Sequence, residues 1–128
     1  SERLAILQIE SPEALEQVEE IAAVPGYEGL MFGPGDFSHR IGLAGQLDQP
    51  RVVAARRRVT AAARRHGKFV MTSGLVAPFA ELVAEGVQIF CIGADVAALG
   101  DYIERQVSTL ADGVAALSPG SRSPSPYG

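Results

Sequence analysis

The chain has a single cysteine, Cys91, among its 128 residues. That excludes an intramolecular disulfide framework and fits a reducing, cytoplasmic setting. No apolar stretch reaches the roughly 18 residues that a membrane-spanning helix needs, and no signal-peptide pattern is visible. Positive charge is not in excess. Eleven Lys and Arg stand against fifteen Asp and Glu, for a net charge of −4 and a pI near 5.1. This balance argues against nucleic acid as a partner. The basic residues that do cluster, Arg56-Arg57-Arg58 and Arg64-Arg65, are expected on a solvated helix face rather than in a phosphate-binding patch. An initiator Met is also missing, and strand-like sequence begins within a few residues, as at a cut or processed end. The length allows one ordinary core but falls short of the roughly 250 residues of a complete eight-stranded α/β barrel.

What is present is a strict alternation of strand and helix. Residues 4–9 form an apolar run with one polar interruption, suited to a buried parallel strand. Ser11-Pro12-Glu13 then supplies an N-cap, an N1 proline and a first-turn acid. Leu15, Val18, Ile21 and Ala22 follow at helical spacing, and Pro25-Gly26 stops the helix. A second strand is expected over 28–33, followed by a loop from Gly33 to Gln49. Pro50 opens a second helix with Val52, Ala55, Val59, Ala62 and Ala63 as its apolar stripe, and Gly67 is placed at C′ in the left-handed conformation. Phe69-Val70-Met71-Thr72 makes a third strand. A helix from about Pro78 to Glu85 should turn Phe79, Leu82 and Val83 inward and end at Gly86. The fourth strand, Val87 to Ile92, would bury Cys91 as a core thiol. A last helix carries Val96, Leu99, Ile103, Val107 and Leu110. Alternation of this kind implies a parallel sheet with right-handed crossovers. Four βα units over 1–117 are half of an eight-unit barrel. The Ser-, Pro- and Gly-rich tail at 118–128 is expected to be disordered.

Two acids stand just past successive strands, Glu10 after the first and Asp36 after the second. Each has an ordinary reading alone: a polar strand end or helix-start acid for Glu10, an Asx-turn residue for Asp36. Together, at the same end of adjacent strands, they would repel unless a cation lay between them. Hard oxygen ligands favour Mg²⁺ or Mn²⁺. Gln8 lies two residues before Glu10, hence on the same strand face, and its neutral amide could donate to a ligand oxygen. Gly33-Pro34-Gly35 lets backbone approach a ligand, and the N–H groups of Gly35 and Asp36 could hold a carboxylate. His39 is expected as a solvent-facing loop residue, His66 as a dipole partner at a helix end, and Asp95 as the cap of the last helix.

Gln8-Ile9-Glu10-Ser11 followed by Gly29-Leu30-Met31-Phe32-Gly33-Pro34-Gly35-Asp36-Phe37-Ser38 resembles the HpcH/HpaI aldolase and citrate lyase superfamily, most of all its class II pyruvate aldolases. Ala63-Arg64-Arg65-His66-Gly67-Lys68 and Ile92-Gly93-Ala94-Asp95-Val96 extend the similarity, which covers about residues 3–110. The resemblance implies the C-terminal half of a TIM (β/α)8 barrel. It also implies a divalent ion (Mg²⁺ or Mn²⁺, with Co²⁺ as a third choice) on Glu10 and Asp36, and a 2-keto acid held by Gln8, Gly35 and Asp36. The implied reaction is retro-aldol cleavage of a hydroxy 2-keto acid to pyruvate and an aldehyde. The family's enolate-stabilising Arg and proton-transferring His come from the first half of the barrel, and neither His39 nor Arg40 matches them. No catalytic residue is therefore assigned within this chain. Gly35 stands where Ala or Ser is common, and Phe37 where Leu is common. A half-barrel exposes its sheet edges and interior, so pairing with a first-half chain or homo-oligomerisation is expected. The alternatives are a non-catalytic half-barrel that binds metal and keto acid, or a related decarboxylase or CoA-ester lyase.

Overall fold

In a computed structural model of the chain, residues 3–73 and 77–117 are described. They fall in two compact units, Ser1–Ile92 and Gly93–Gly128. The tail at 118–128, Tyr127 within it, and Gly74 lie outside the described residues.

The first unit runs β1 (Ile6–Ile9), α1 (Pro12–Glu16), α2 (Val18–Ala23), β2 (Gly29–Phe32), α3 (Pro34–Arg40), α4 (Pro50–Arg65), β3 (Phe69–Ser73), α5 (Phe79–Glu85) and β4 (Ile89–Cys91). Its four strands are ordered β1-β2-β3-β4, every pair parallel. This is the α/β half-barrel arrangement that the alternation implies. The local signals act where expected. Ser11 caps α1, its Oγ accepting from the Ala14 N–H at 3.2 Å, with Pro12 at the first helical position. Gly67, at φ +66°, takes the left-handed position after α4. The stripe Val52, Ala55, Val59, Ala62 and Ala63 is buried throughout.

The sheet is covered on one face. Ile9, Leu30, Phe32, Val70 and Thr72 are buried with that stripe, α4 packing over β2 and β3. The opposite face carries Gln8, Met31, Met71 and Ile89 in one row, none of them buried. Among the described residues nothing pairs with the outer edges of β1 or β4. Parallel sheets ordinarily have both faces covered.

Several expectations are corrected. The stretch from Gly33 to Gln49 is not all loop: it holds α3, over Pro34–Arg40. The first strand is confined to Ile6–Ile9, with Leu4 left exposed. The first helix breaks at Gln17 into α1 and α2. On α5 only Leu82 is buried. Phe79 and Val83 are exposed, although the Phe79 ring packs on Phe90 at 4.8 Å between centroids. Cys91 is half-buried rather than a core thiol, because β4 is an edge strand.

Arg56 departs furthest from expectation. It is 2% exposed, not solvated. Its guanidinium donates to both carboxylate oxygens of Glu85 at 2.9 Å and to Glu81 at 2.8 Å, while Arg57 donates to Glu85 at 2.8 Å. One turn of α4 is thereby bolted to α5. Burial pushes the Glu85 carboxyl up, but the hydrogen bonds from Arg56 and Arg57 outweigh it and hold it below the usual carboxylate range.

The second unit holds α6 (Asp95–Ala116). Ala94, not Asp95, is its N-cap; Asp95 stands at the first helical position and accepts from the Val96 N–H at 2.8 Å. None of the residues of α6 is buried, and Val96, Leu99, Ile103, Val107 and Leu110 are exposed. No helix among the described residues is long and apolar enough to cross a membrane.

Replacing Arg56 with Met should cost about 1–2 kcal/mol in urea denaturation at neutral pH, since the mostly buried Glu85 carboxylate loses two of its three arginine hydrogen bonds and keeps only the one from Arg57. Because Glu85 titrates lower folded than unfolded, its contribution is complete above its unfolded value near 4.5 and is lost as pH falls through the folded value. The gap between wild type and Arg56→Met should therefore narrow as pH falls below the unfolded carboxylate value near 4.5.

Candidate active site

The C-terminal ends of β1 and β2 lie side by side because the strands pair in register, Gln8 opposite Met31 and Ile9 opposite Phe32. One further bond, from the Gly33 N–H to the Ile9 carbonyl at 2.9 Å, carries the ladder past the end of β2. Gly33 is thus set beside Glu10. Strand alternation places Gln8 and Glu10 on the face away from buried Ile9. Gln8 is exposed there and Glu10 half-buried.

Space rather than backbone conformation favours glycine at position 33, where φ is −96°, and the nearest obstacle to a Cβ is the movable end of the Gln8 side chain. A Cβ there would lie 2.6 Å from Gln8 Nε2, 3.1 Å from Glu10 Cβ and 3.3 Å from Glu10 Oε2. The amide of Gln8 and the carboxylate of Glu10 therefore converge over the bare Gly33 backbone. Sequence reasoning gave the Gly33-Pro34-Gly35 glycines to an approaching ligand. The structure divides them: Gly33 makes room for two side chains of its own chain, and Gly35 opens to free space with no atom within 4 Å of its Cβ position.

From Gly33 the chain turns into α3, with Pro34 at the first helical position and Asp36 in the first turn. The helix is held from below. Phe37 is buried against Phe32, ring centroids 5.3 Å apart, and buried Ser38 donates from Oγ to the Gly35 carbonyl at 2.8 Å. Gly35 and Asp36 are left exposed on the outer side of that first turn. Among the described residues neither Glu10 nor Asp36 has an ion-pair partner.

The other candidates lie apart from this cluster. His39 is exposed in the last turn of α3. His66 caps α4 at the far end of the sheet, its Nε2 3.3 Å from Glu19 Oε2, while Arg65 pairs with the same carboxylate. A surface cavity of about 520 Å³ also opens at that far end, around Arg64, Lys68, Phe69 and Gln88, and neither Glu10 nor Asp36 lines it. At the near end Met71-Thr72-Ser73-Gly74 left the close of the third strand open in the sequence, and the register settles it: Ser73, paired with Cys91, closes β3 and β4 in the row next to Met71 and Ile89. Period-two alternation from Met71 was the signal that could have found Ser73.

Two carboxylates and an amide fit a hard divalent ion in their donor chemistry. Among the described residues no group of three or more His, Cys, Asp or Glu is gathered closely enough to enclose one. An ion held by the pair would therefore keep positions for oxygen atoms from outside the chain.

A parallel βα array with acids at the C-terminal mouth of its strands is the architecture of (β/α)8-barrel lyases. The HpcH/HpaI aldolase/citrate lyase family matches residues 2–100, and the chain belongs to that family. It is 38% identical over 73 residues to the 5-keto-4-deoxy-D-glucarate aldolase of Klebsiella pneumoniae, a match covering 57% of this chain and 27% of that protein. It is 35% identical over 98 residues to the pyruvate aldolase of Rhizobium etli, covering 73% of this chain and 37% of that one. The solved HpcH/HpaI aldolase of Desulfitobacterium hafniense DCB-2 superposes with a TM-score of 0.73 at 32% identity, over 94% of this chain and 45% of its own. The chain thus spans about half the length of these relatives.

Gly33→Ala should cost about 1 kcal/mol or less in chemical denaturation, because its closest contact is the movable end of Gln8 and, besides that, only the Glu10 stem must give way. Gln8→Ala in the same chain should recover part of that loss, because Gln8 Nε2 is the nearest obstacle. A Gly33→Ala protein as stable as wild type would show that the close approach is not enforced.

Proposed function

We propose that this chain supplies the metal- and keto-acid-binding half of a class II aldolase that cleaves a hydroxy 2-keto acid to pyruvate and an aldehyde. The observation that carries the reading is the convergence of Gln8 and Glu10 over Gly33, directly before the helix that bears Asp36. Family membership supports the lyase class.

In this reading Glu10 and Asp36 hold Mg²⁺ or Mn²⁺, or Co²⁺ in their place. The bound ion supplies Lewis acidity towards the substrate's keto oxygen. The Gln8 amide donates to the substrate's keto or carboxylate oxygen, and the backbone N–H groups of Gly35 and Asp36 orient the carboxylate. The open space at Gly35 leaves room for that carboxylate to reach the backbone. In the reaction the C3–C4 bond breaks and its electron pair stays on C3 as the pyruvate enolate. The C4 hydroxyl loses its proton and becomes the aldehyde carbonyl, and a proton delivered to C3 completes pyruvate. None of the residues named here is assigned that proton transfer. It falls to the preceding half of the barrel, as the family resemblance implies.

The same reading calls for association. Among the described residues, the partly covered sheet face and the two unpaired edges fit a partner made of βα units, either a first-half chain or a second copy.

Glu10→Gln and Asp36→Asn should each weaken Mn²⁺ binding at least about tenfold in calorimetric titration, as loss of a metal ligand does. Unchanged affinity in both variants would remove the acid pair from the reading. On gel filtration the chain should elute as a dimer or larger, or enter a complex with a first-half chain. A stable, compact monomer that ignores such a chain would overturn the association.

A further inference from the structure

On the helical side of the first unit a groove opens between α1, α3 and α4. Leu15, Phe37, Ile41 and Ala55 form its floor, and Arg51 and Arg58 stand at its rim. Phe37 and Ala55 are buried, so the floor is firm, while both arginines are exposed. The Arg58 guanidinium is fixed at the rim by donating to the Glu16 carbonyl at 3.2 Å. Arg51 makes no hydrogen bond or ion pair among the described residues. The groove encloses about 380 Å³, within the size range of small-molecule sites. It is distinct from the acid pair and does not depend on the function proposed for it.

We propose that this groove binds a small organic monocarboxylate with an apolar body, its carboxylate between Arg51 and Arg58 and its carbon chain on Leu15, Phe37 and Ile41. The charge pattern selects this class. The groove is lined by two arginines and one acidic residue, Glu16, so one further negative charge balances it and two would leave it with a net negative charge. A guanidinium also matches the flat, two-oxygen geometry of a carboxylate. A neutral apolar guest would leave both cations unused, and an inorganic anion would leave the apolar floor in water. Phe37 directly follows Asp36 in α3, so a guest on its ring sits against the helix that presents that acid.

The test is a titration of the ¹⁵N-labelled full chain, followed by amide NMR, with hexanoate, acetate and hexanol as three separate probes. Hexanoate should shift the signals of Leu15, Phe37 and Ile41 and saturate them. Acetate lacks the body and hexanol lacks the charge, and each should bind at least about fivefold more weakly, the scale of an exposed ion pair worth about 1 kcal/mol. Arg51→Ala, which removes a side chain with no internal partner, should weaken hexanoate roughly three- to fivefold and leave hexanol unchanged. Shifts confined to other surfaces, hexanol binding as tightly as hexanoate, or an Arg51→Ala protein with undiminished hexanoate affinity would each overturn the proposal.

Discussion

The bond from the Gly33 N–H to the Ile9 carbonyl is the constraint on which the candidate site depends. It extends the parallel pairing of β1 and β2 by one residue beyond β2 and so fixes what lies next to Glu10. A residue with a side chain at that place would push against the Gln8 amide and the Glu10 stem. Glycine removes the obstacle, and the proline that follows starts a helix at once, because its fixed φ suits the first helical position and its missing N–H is not needed there. Register, bare backbone and helix start together bring an amide, a carboxylate and a second acid to one end of the sheet.

The same sheet is asymmetric. One face is sealed by α4, whose small and branched residues pack without exposure on β2 and β3. Full burial of side chains such as Leu30 and Val59 contributes about 1.5–3 kcal/mol each. The other face presents Met31, Met71 and Ile89 only partly covered. That contrast joins stability to function: the sealed face holds the strands in place, and the open face is the one on which Gln8 and Glu10 project. The Arg56–Glu85–Glu81 network acts on the sealed side, tying α5, which has only Leu82 buried, to the better-packed α4.

Much of this was legible in the chain. The alternation of apolar runs with helical stripes predicted a parallel α/β sheet, and local chemistry predicted the Ser11 cap, the proline entries at Pro12 and Pro50 and the left-handed Gly67. These features act over a few residues, so a short stretch of sequence contains their cause. The relation of Gln8 to Glu10 was legible for the same reason, since strand alternation is a local rule. Other features were not. Pro34-Gly35-Asp36 looks like turn chemistry, and α3 exists because Phe37 finds Phe32 and Ser38 finds the Gly35 carbonyl. Arg56, Arg57 and Arg58 are indistinguishable as letters. Only the rotation of α4 against α5 decides that Arg56 is enclosed while its neighbours remain in water.

The sequence by itself determined the class of fold, the order of its βα units, the family to which the chain belongs and the candidate acids at two strand ends. All of these follow from periodicity and from motifs contiguous along the chain. Tertiary structure alone decided that Gly33 yields its space to Gln8 and Glu10, that Arg56 is buried, that Phe79 and Val83 are not, and that one face of the sheet stays open. Each of those outcomes turns on how residues far apart along the chain meet in space. Burial, close approach and exposure are properties of neighbours, and a chain read in order does not say which neighbours it will have.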